Sequence, residues 1–522
     1  MQVRKWLVCP GRADIVRLMT NLDQDICYQA LKTKDARFDG RFFTAVTSTG
    51  VFCRTICPAT VPKRANCVFY PSAAAAMNAG YRPCLRCRPE TAPGSPAWKG
   101  VSTTVNRALK LINEGALDEG GVEELASRLG IGERYLRRLF LDHLGASPKA
   151  VAQTRRLLFA KKLVTESHLP LTEIAFAAGF GSIRRFNDAF VKLYKRAPRD
   201  LRRETLTEVP ANEGTISLKL SYRPPYDWDR IIGFLAARAI TGLEAVSDGR
   251  YHRAIQLEEK TGLVSVKHDP QRHQLIAEFS LPDITLLRPA IDRIRRLFDL
   301  DTDIGEITSQ LGKDPHLSPL IKAYPGLRVP GAWDLFELSV RAVLGQQITV
   351  AAAATFAKRI VSHFGTSLDI GDRHGITHTF PSPEILAKAD LTSIGLTQRR
   401  SDTINGLARA FAEDQLKLEE AGDLADIHDR LCQLKGIGPW TAQYIALRAL
   451  KEPDAFPESD LGLIRAIPNG EERICPKDLL AMAENWRPWR AYAAQLLWSA
   501  DPGGPELKKN RTSGQTDKND EG

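Results

Sequence analysis

Apolar and polar positions follow three different patterns along this chain, and each predicts a different kind of structure. Residues 104 to 203 read as helices throughout. From residue 218 the segments LKLSYRPPYDWDRIIGFLAARAITGLEAV, YHRAIQLEE, GLVSVKH and HQLIAEFSL alternate apolar and polar residues, which predicts short strands flanked by helices. From about residue 330 onward the pattern is helical again. Pro and Gly clusters mark the joints. RPETAPGSPAWKG at 88 to 100 and ETLTEVPANEGT at 204 to 215 predict linkers, and a softer joint falls near 300 to 330. The stretch 503 to 522 has almost no apolar residues, cannot build a core and is expected to be a disordered tail. No repeat long enough for a solenoid is present.

Inside the first helical block, two similar units recur. Val122-Glu-Glu-Leu-Ala-Ser-Arg-Leu, a turn at Gly130-Ile-Gly132 and Glu133-Arg-Tyr-Leu-Arg-Arg-Leu-Phe-Leu form one unit. Leu171-Thr-Glu-Ile-Ala-Phe-Ala-Ala, a turn at Gly179-Phe-Gly181 and Ser182-Ile-Arg-Arg-Phe-Asn-Asp-Ala-Phe form the other. Helix, glycine-bearing turn and helix is the helix-turn-helix pattern. The second helices carry Arg134, Arg137 and Arg138, then Arg184, Arg185 and Asn187. Such side chains reach base edges and phosphates in a major groove, although a run of arginines is also what a solvated helix face looks like.

Composition changes the picture in one respect. The 522 residues are 43% hydrophobic and 26% charged, ordinary for a soluble protein, and no run of about 18 apolar residues could span a bilayer, so no membrane association is expected. The start, MQVRKWLVCPGRADIV, lacks the apolar core of an export signal, which makes the cytosol the expected compartment and disulfides unexpected. The net charge of +10 conceals an asymmetry: residues 1 to 206 hold 34 Lys and Arg against 18 Asp and Glu, and the rest 38 against 44. A basic front part implies a polyanionic partner, most often nucleic acid.

Of nine cysteines, four form two close pairs, Cys53-Arg-Thr-Ile-Cys57 and Cys84-Leu-Arg-Cys87, with 26 residues between them. Two short-spaced thiol pairs suit one tetrahedral zinc ion, and a domain near 90 residues gains folding energy from it. Cys9, Cys27 and Cys67 have no such pairing and read as plain. Around the pairs, DGRFFTAVTSTGVFCRTICPAT and FYPSAAAAMNAGYRPCLRCRPE resemble the N-terminal domain of the Ada methylation-response proteins. The resemblance implies zinc held by Cys53, Cys57, Cys84 and Cys87, with Cys53 also taking a methyl group from a methylphosphotriester in DNA. The chemistry is self-consistent, because zinc keeps a thiol deprotonated and a thiolate attacks a methyl carbon. Converting one thiolate to a thioether also removes one negative charge that would repel phosphate. A purely structural ligand is the other reading of Cys53. The two helix-turn-helix units, each followed by a proline motif (GASPKAV, KRAPRDL), resemble the AraC-type DNA-binding domain.

An Ada protein continues into a second methyl acceptor with a Pro-Cys-His-Arg motif, which is absent here. In the last block, Leu434-Lys-Gly436-Ile-Gly438 sits between two helices, a hairpin whose backbone N–H groups suit a DNA phosphate. Asp460 follows 22 residues after Gly438. Breaking a base–deoxyribose bond builds positive charge on the sugar, which a fixed carboxylate stabilises; an Asp before LGLIRA is equally suited to capping a helix. The hairpin, this spacing, VRAVLGQQITVAAAATFA and NWRPWRAYAAQLLW resemble AlkA, an alkylbase DNA glycosylase of the helix-hairpin-helix superfamily, from about 218 to 500. The resemblance makes Asp460 catalytic and places Trp440, Tyr444 and Trp498 around the flipped base, with core packing as their other reading. Lyase members of the superfamily carry a nucleophilic lysine where this chain has Trp440, which implies a monofunctional hydrolase. The family's wedge leucine is replaced by Gln347, which could hydrogen-bond to the unpaired base. The resemblance also implies a monovalent cation on the carbonyls of Cys432, Leu434 and Gly436.

The expected fold is multidomain α+β. A zinc-binding α/β methyl-acceptor domain spans 1–95, an all-α double helix-turn-helix domain 101–205, a small α+β sheet subdomain 215–300 packing beside the active site, and an all-α glycosylase domain 301–502. The expected function is a methylphosphotriester-sensing transcriptional activator fused to a glycosylase that removes 3-methyladenine-type bases. Its partners would be alkylated DNA, promoter DNA and RNA polymerase, with the chain acting as a monomer. Two other readings stay open: a regulator with an inactive glycosylase, and a repair enzyme whose front half only recruits it to DNA.

Overall fold

A computed structural model describes residues 24–92, 103–205 except 114 and 119, 215–368 except 258, 374–416, 418, 424–467 and 473–501. The stretch 503–522, Cys9 and most of both predicted linkers lie outside the described residues. The chain divides into two compact units, residues 1–211 and 212–522.

The first unit opens with helix α1 (Gln24–Lys32), which packs Cys27 and Leu31 against Phe42 and Phe69. Strands β1 (Phe43–Val46), β2 (Val51–Cys53), β3 (Cys67–Tyr70) and β4 (Arg82–Pro83) form a sheet in the order β3-β1-β2-β4. All pairs are antiparallel except β2 with β4. Along β2 only Phe52 is fully buried, so the period-two alternation turns Cys53 to the opposite face, beside Val51. Helix α2 (Ala73–Asn78) lies between β3 and β4, capped by Ser72, whose hydroxyl accepts from Ala75 N.

The helix-turn-helix units are α3 (Thr103–Asn113) leading into α4 (Val122–Arg128) and α5 (Glu133–Leu144), then, after the long α6 (Pro148–Glu166), α7 (Leu171–Ala177) and α8 (Ile183–Tyr194). Both expected turns form, with Gly130 at φ +67° and Gly179 at φ +79°, conformations that favour glycine. Leu136, Leu139 and Phe140 bury one face of α5, and Phe186, Phe190 and Tyr194, four residues apart, bury one face of α8. The thiol-bearing part packs on this helical part. The Ser72 hydroxyl donates to Leu144 O at 2.7 Å, and Gly145, at φ +66°, has no room beside Ala75 for an unstrained side chain.

In the second unit, the predicted strands form one antiparallel sheet, order β5-β9-β8-β7-β6, from β5 (Ile216–Ser221), β6 (Glu244–Ser247), β7 (Arg250–Leu257), β8 (Lys260–Asp269) and β9 (Gln274–Ser280). Helix α9 (Trp228–Arg238) connects β5 to β6. The helices that build the site follow: α10 (Leu335–Leu344), α11 (Val350–Phe364), α12 (Gln398–Ala412), α13 (Leu424–Cys432), α14 (Pro439–Ile445), α15 (Leu461–Ala466) and α16 (Arg490–Ala500). Among the described residues no helix is long and apolar enough to cross a membrane.

Candidate functional site

The thiol cluster is assembled by the parallel pairing of β2 with β4. Cys53 ends β2, Cys57 lies in the turn after it, and the Cys84 amide donates to Phe52 O at 2.9 Å, which brings the second pair beside the first. The four sulfurs lie within 4.8 Å of one another. Sulfurs on one tetrahedral zinc at about 2.3 Å sit roughly 3.8 Å apart, so the set fits zinc with only small adjustment. Cys57, Cys84 and Cys87 are buried and Cys53 is the one reached by solvent. Beneath the cluster Arg54 is buried: its amide donates to Cys87 Sγ at 3.3 Å and its guanidinium to Asp39 Oδ1 at 2.8 Å and Cys87 O at 3.3 Å. Cys27 and Cys67 pack in the apolar core.

Immediately after Cys87 lies an ion-pair network that the sequence reading missed. Arg88 donates to Glu166 Oε1 and Thr165 Oγ1, each at 2.7 Å, and Glu90, wholly buried, pairs with Lys161 of α6. Burial pulls the Lys161 ammonium below its ordinary range, and Glu90 opposes that pull. Removing one partner of such a pair strands the other charge, so Glu90→Ala is expected to destabilise the first unit by about 3 kcal/mol in urea unfolding. Only the motif Arg88-Pro-Glu90 directly after Cys87 could have signalled this network.

On the second helices of the two units, Arg134, Arg137, Arg138, Arg184 and Arg185 are exposed, and Asn187, flanking the core face beside Phe186, is half-buried. Arg137 pairs with Glu133 one turn back, and Arg138 lies over the Tyr135 ring at 5.1 Å.

In the second unit a cavity of about 310 Å³ is lined by Trp440, Tyr444, Trp498 and Asp460 together. Trp440 and Tyr444 stack with centroids 5.3 Å apart and planes at 12°, and Tyr444 meets Trp498 edge to face. Asp460 caps α15: its Oδ1 accepts from Gly462 N (2.8 Å), Leu463 N (3.2 Å) and Trp498 Nε1 (2.9 Å), and its Oδ2 accepts from Trp440 Nε1 (2.8 Å). The helix-cap reading of Asp460 is met, and the same carboxylate is fixed in the cavity wall by four N–H donors. Three of those donors come from the helix start and Trp498, and the fourth is the indole after the hairpin.

Sequence reasoning also missed a charged part of the cavity wall. Arg341 of α10 donates to Glu244 at 2.8 Å and to Glu337 at 2.9 Å, and Arg253 of β7 pairs with the same two glutamates. All four line the cavity with Phe234 of α9, so the sheet subdomain does more than pack beside the site; it supplies part of the wall. Arg448, buried, lies 4.9 Å from the Trp498 centroid and 5.7 Å from that of Tyr444.

The hairpin joins α13 to α14. Gly436 has φ +91°, and a Cβ there would stand 2.2 Å from Thr403 Oγ1, whereas Gly438, the cap of α14, faces open space. Gly436→Ala combines a disfavoured backbone with a clash and is expected to lower stability by about 2 kcal/mol or more, read as a fall in the unfolding temperature of the second unit. Two of the carbonyls expected to hold a monovalent cation already accept hydrogen bonds, Gly436 O from Gln346 Nε2 and Leu434 O from Ile437 N, both at 3.0 Å. Gln347 is exposed between α10 and α11 at φ +57°.

A thiol cluster on a double helix-turn-helix, joined to a hairpin beside an aromatic cavity with a fixed aspartate, defines a DNA-binding regulator fused to a base-excision protein. Comparison with known families agrees segment by segment. Residues 26–90 match the metal binding domain of Ada and 125–204 a helix-turn-helix domain; 217–334 match the AlkA N-terminal domain and 340–490 the HhH-GPD superfamily of base excision DNA repair proteins. The "Probable bifunctional transcriptional activator/DNA repair enzyme AlkA" of Mycobacterium tuberculosis is 42% identical over 91% of this chain and 96% of its own. DNA-3-methyladenine glycosylase 2 of Escherichia coli is 35% identical over 55% of this chain and 98% of its own. The bifunctional transcriptional activator/DNA repair enzyme Ada of Escherichia coli is 34% identical over 31% of this chain and 44% of its own. The chain belongs to the family of the bifunctional transcriptional activator/DNA repair enzymes AlkA.

Proposed function

We propose that this protein hydrolyses the bond between alkylated bases, of the 3-methyladenine type, and deoxyribose in DNA, and that its first unit takes a methyl group onto Cys53 from a methylphosphotriester and activates transcription in response. The observation that carries the first part is the Asp460 carboxylate, held by four N–H donors in the wall of an aromatic cavity beside the hairpin. A flipped, electron-poor alkylated purine would stack on Trp440, Tyr444 and Trp498, with Gln347 in the space it leaves and the hairpin amides around Gly436 and Gly438 on the backbone. As the base leaves, positive charge grows on the sugar, Asp460 stabilises it, and water adds at the sugar carbon. Among the described residues lining the cavity there is no lysine, which supports a hydrolase that leaves the strand uncut.

In the first unit, Cys53 is the most accessible of the four thiols, the placement an acceptor needs. Its sulfur attacks the methyl carbon, an S–C bond forms, the C–O bond breaks, and the phosphodiester oxygen leaves with the electron pair. Zinc, when bound by Cys53, Cys57, Cys84 and Cys87, supplies the low thiol pKa. The new thioether carries no charge, so phosphate is repelled less and DNA held more tightly. Arg134, Arg137, Arg138, Arg184, Arg185 and Asn187 would read the promoter, with the chain acting as a monomer beside RNA polymerase. We divide the roles accordingly: 1–95 methyl acceptor, 101–205 promoter recognition, 215–300 and 301–502 base removal, with 503–522 a tail. The Cys432 carbonyl, with the second lone pairs of the Leu434 and Gly436 carbonyls that each already accept one hydrogen bond, would hold a monovalent cation.

The test is incubation of the purified chain with N-methylated duplex DNA and chromatography of the free bases. Methylated purines are expected, with abasic sites in uncut strands. No release from folded, zinc-loaded protein would leave a regulator with a retired glycosylase.

A further inference from the structure

Gln346 joins three separated parts of the second unit. Its side-chain amide donates to Gly436 O and to Thr441 Oγ1, each at 3.0 Å, so it holds the middle of the hairpin and the first turn of α14. Its own main-chain carbonyl accepts from the Arg400 guanidinium at 2.8 Å. Arg400 and Thr403 sit in the first turns of α12, and Thr403 fills the space beneath Gly436. The hairpin is therefore pinned from two sides, by Thr403 and by Gln346.

The carbonyl that Arg400 grips belongs to the peptide leading into Gln347. That residue is exposed and holds φ +57°, a conformation uncommon outside glycine that persists only where neighbours over-determine it. The bonds thus run without a break from the hairpin, through Gly436 O and Thr441 Oγ1, to Gln346 and on to the peptide that aims Gln347. Resting on the glycosylase reading above, we propose that Gln346 is a positioning residue that couples the hairpin's hold on the DNA backbone to the insertion of Gln347 into the duplex. Base displacement then depends on backbone grip.

The experiment uses the full chain and a duplex with one 7-methylguanine beside a 2-aminopurine, whose fluorescence rises when its neighbour leaves the stack. Gln346→Leu removes both donated hydrogen bonds and keeps the bulk. It is expected to reduce the fluorescence rise and the single-turnover release about fivefold each, with affinity for undamaged duplex within about twofold. Gln347→Ala is expected to give the same loss, and the double variant no more than either, because the two residues lie on one route. Losses that multiply, or a fluorescence rise unchanged in Gln346→Leu, overturn the proposal. Gln346→Glu, isosteric and without the amide donors, repeats the cycle should the leucine variant unfold. A fluorescence rise without release from the unmodified chain sinks the glycosylase reading while the cycle on fluorescence still decides the coupling; neither signal sinks both.

Discussion

Asp460→Asn is expected to slow release of methylated purines by about 10² to 10³ while leaving the fold and duplex binding in place. The fold survives because Asn is as good a helix cap as Asp, and its carboxamide oxygen can still accept from Gly462 and Leu463. What cannot survive is the charge. With that oxygen in the Oδ1 place, which also accepts from Trp498, the carboxamide NH2 stands at Oδ2 and faces the Trp440 indole, itself a donor. Trp440 thus loses its acceptor, and in the proposed mechanism the transition state loses the anion that answers its developing positive charge, worth roughly 3 to 4 kcal/mol in a water-excluded site. Chromatography of free bases measures the rate, and circular dichroism with thermal unfolding confirms the fold. Unchanged release would end the catalytic assignment.

Cys53→Ser is expected to abolish methyl transfer, a loss beyond about 10³, because a hydroxyl is far from ionised where a thiolate forms. The substitution is nearly isosteric and falls on the most accessible of the four thiols, so the buried trio and the sheet keep their packing. DNA carrying labelled methylphosphotriesters transfers one methyl per unmodified chain in this reading and none to the variant, scored by mass spectrometry of the peptide holding residue 53. Labelled methyl still arriving there, or elsewhere on the variant, would refute the role. Base release should be untouched, because the cavity is built wholly within the second unit.

How much of this was legible in the sequence depended on how far apart the partners lie. The thiol pairs and both glycine turns were readable because their spacing is local, and a metal or a reversal of the chain demands residues at fixed short intervals. The hairpin was readable for the same reason. The pairing of Trp440 and Trp498 with Asp460 spans 20 and 38 residues, so resemblance could name the residues while the four-donor cradle stayed hidden. Glu90 with Lys161, 71 residues apart, left no trace, since a buried ion pair has the same letters as a solvated face. The charged wall from Glu244 and Arg253 was hidden behind the strand alternation, which reports burial and is silent about which buried groups meet across layers.

Ser72 reaches from the thiol-bearing part into α5, and Arg88 and Glu90, the first residues of the linker predicted at 88 to 100, pair with α6 instead of linking freely. A cut in that linker would separate the sequence without separating the folded parts. A chimera that exchanges the first 95 residues for those of a relative would have to bring along matching partners for Leu144, Lys161 and Glu166. The thiol-bearing and helix-turn-helix parts thus pack as one piece, and a crossover between members of the family is expected to be tolerated better near residue 210 than near residue 95.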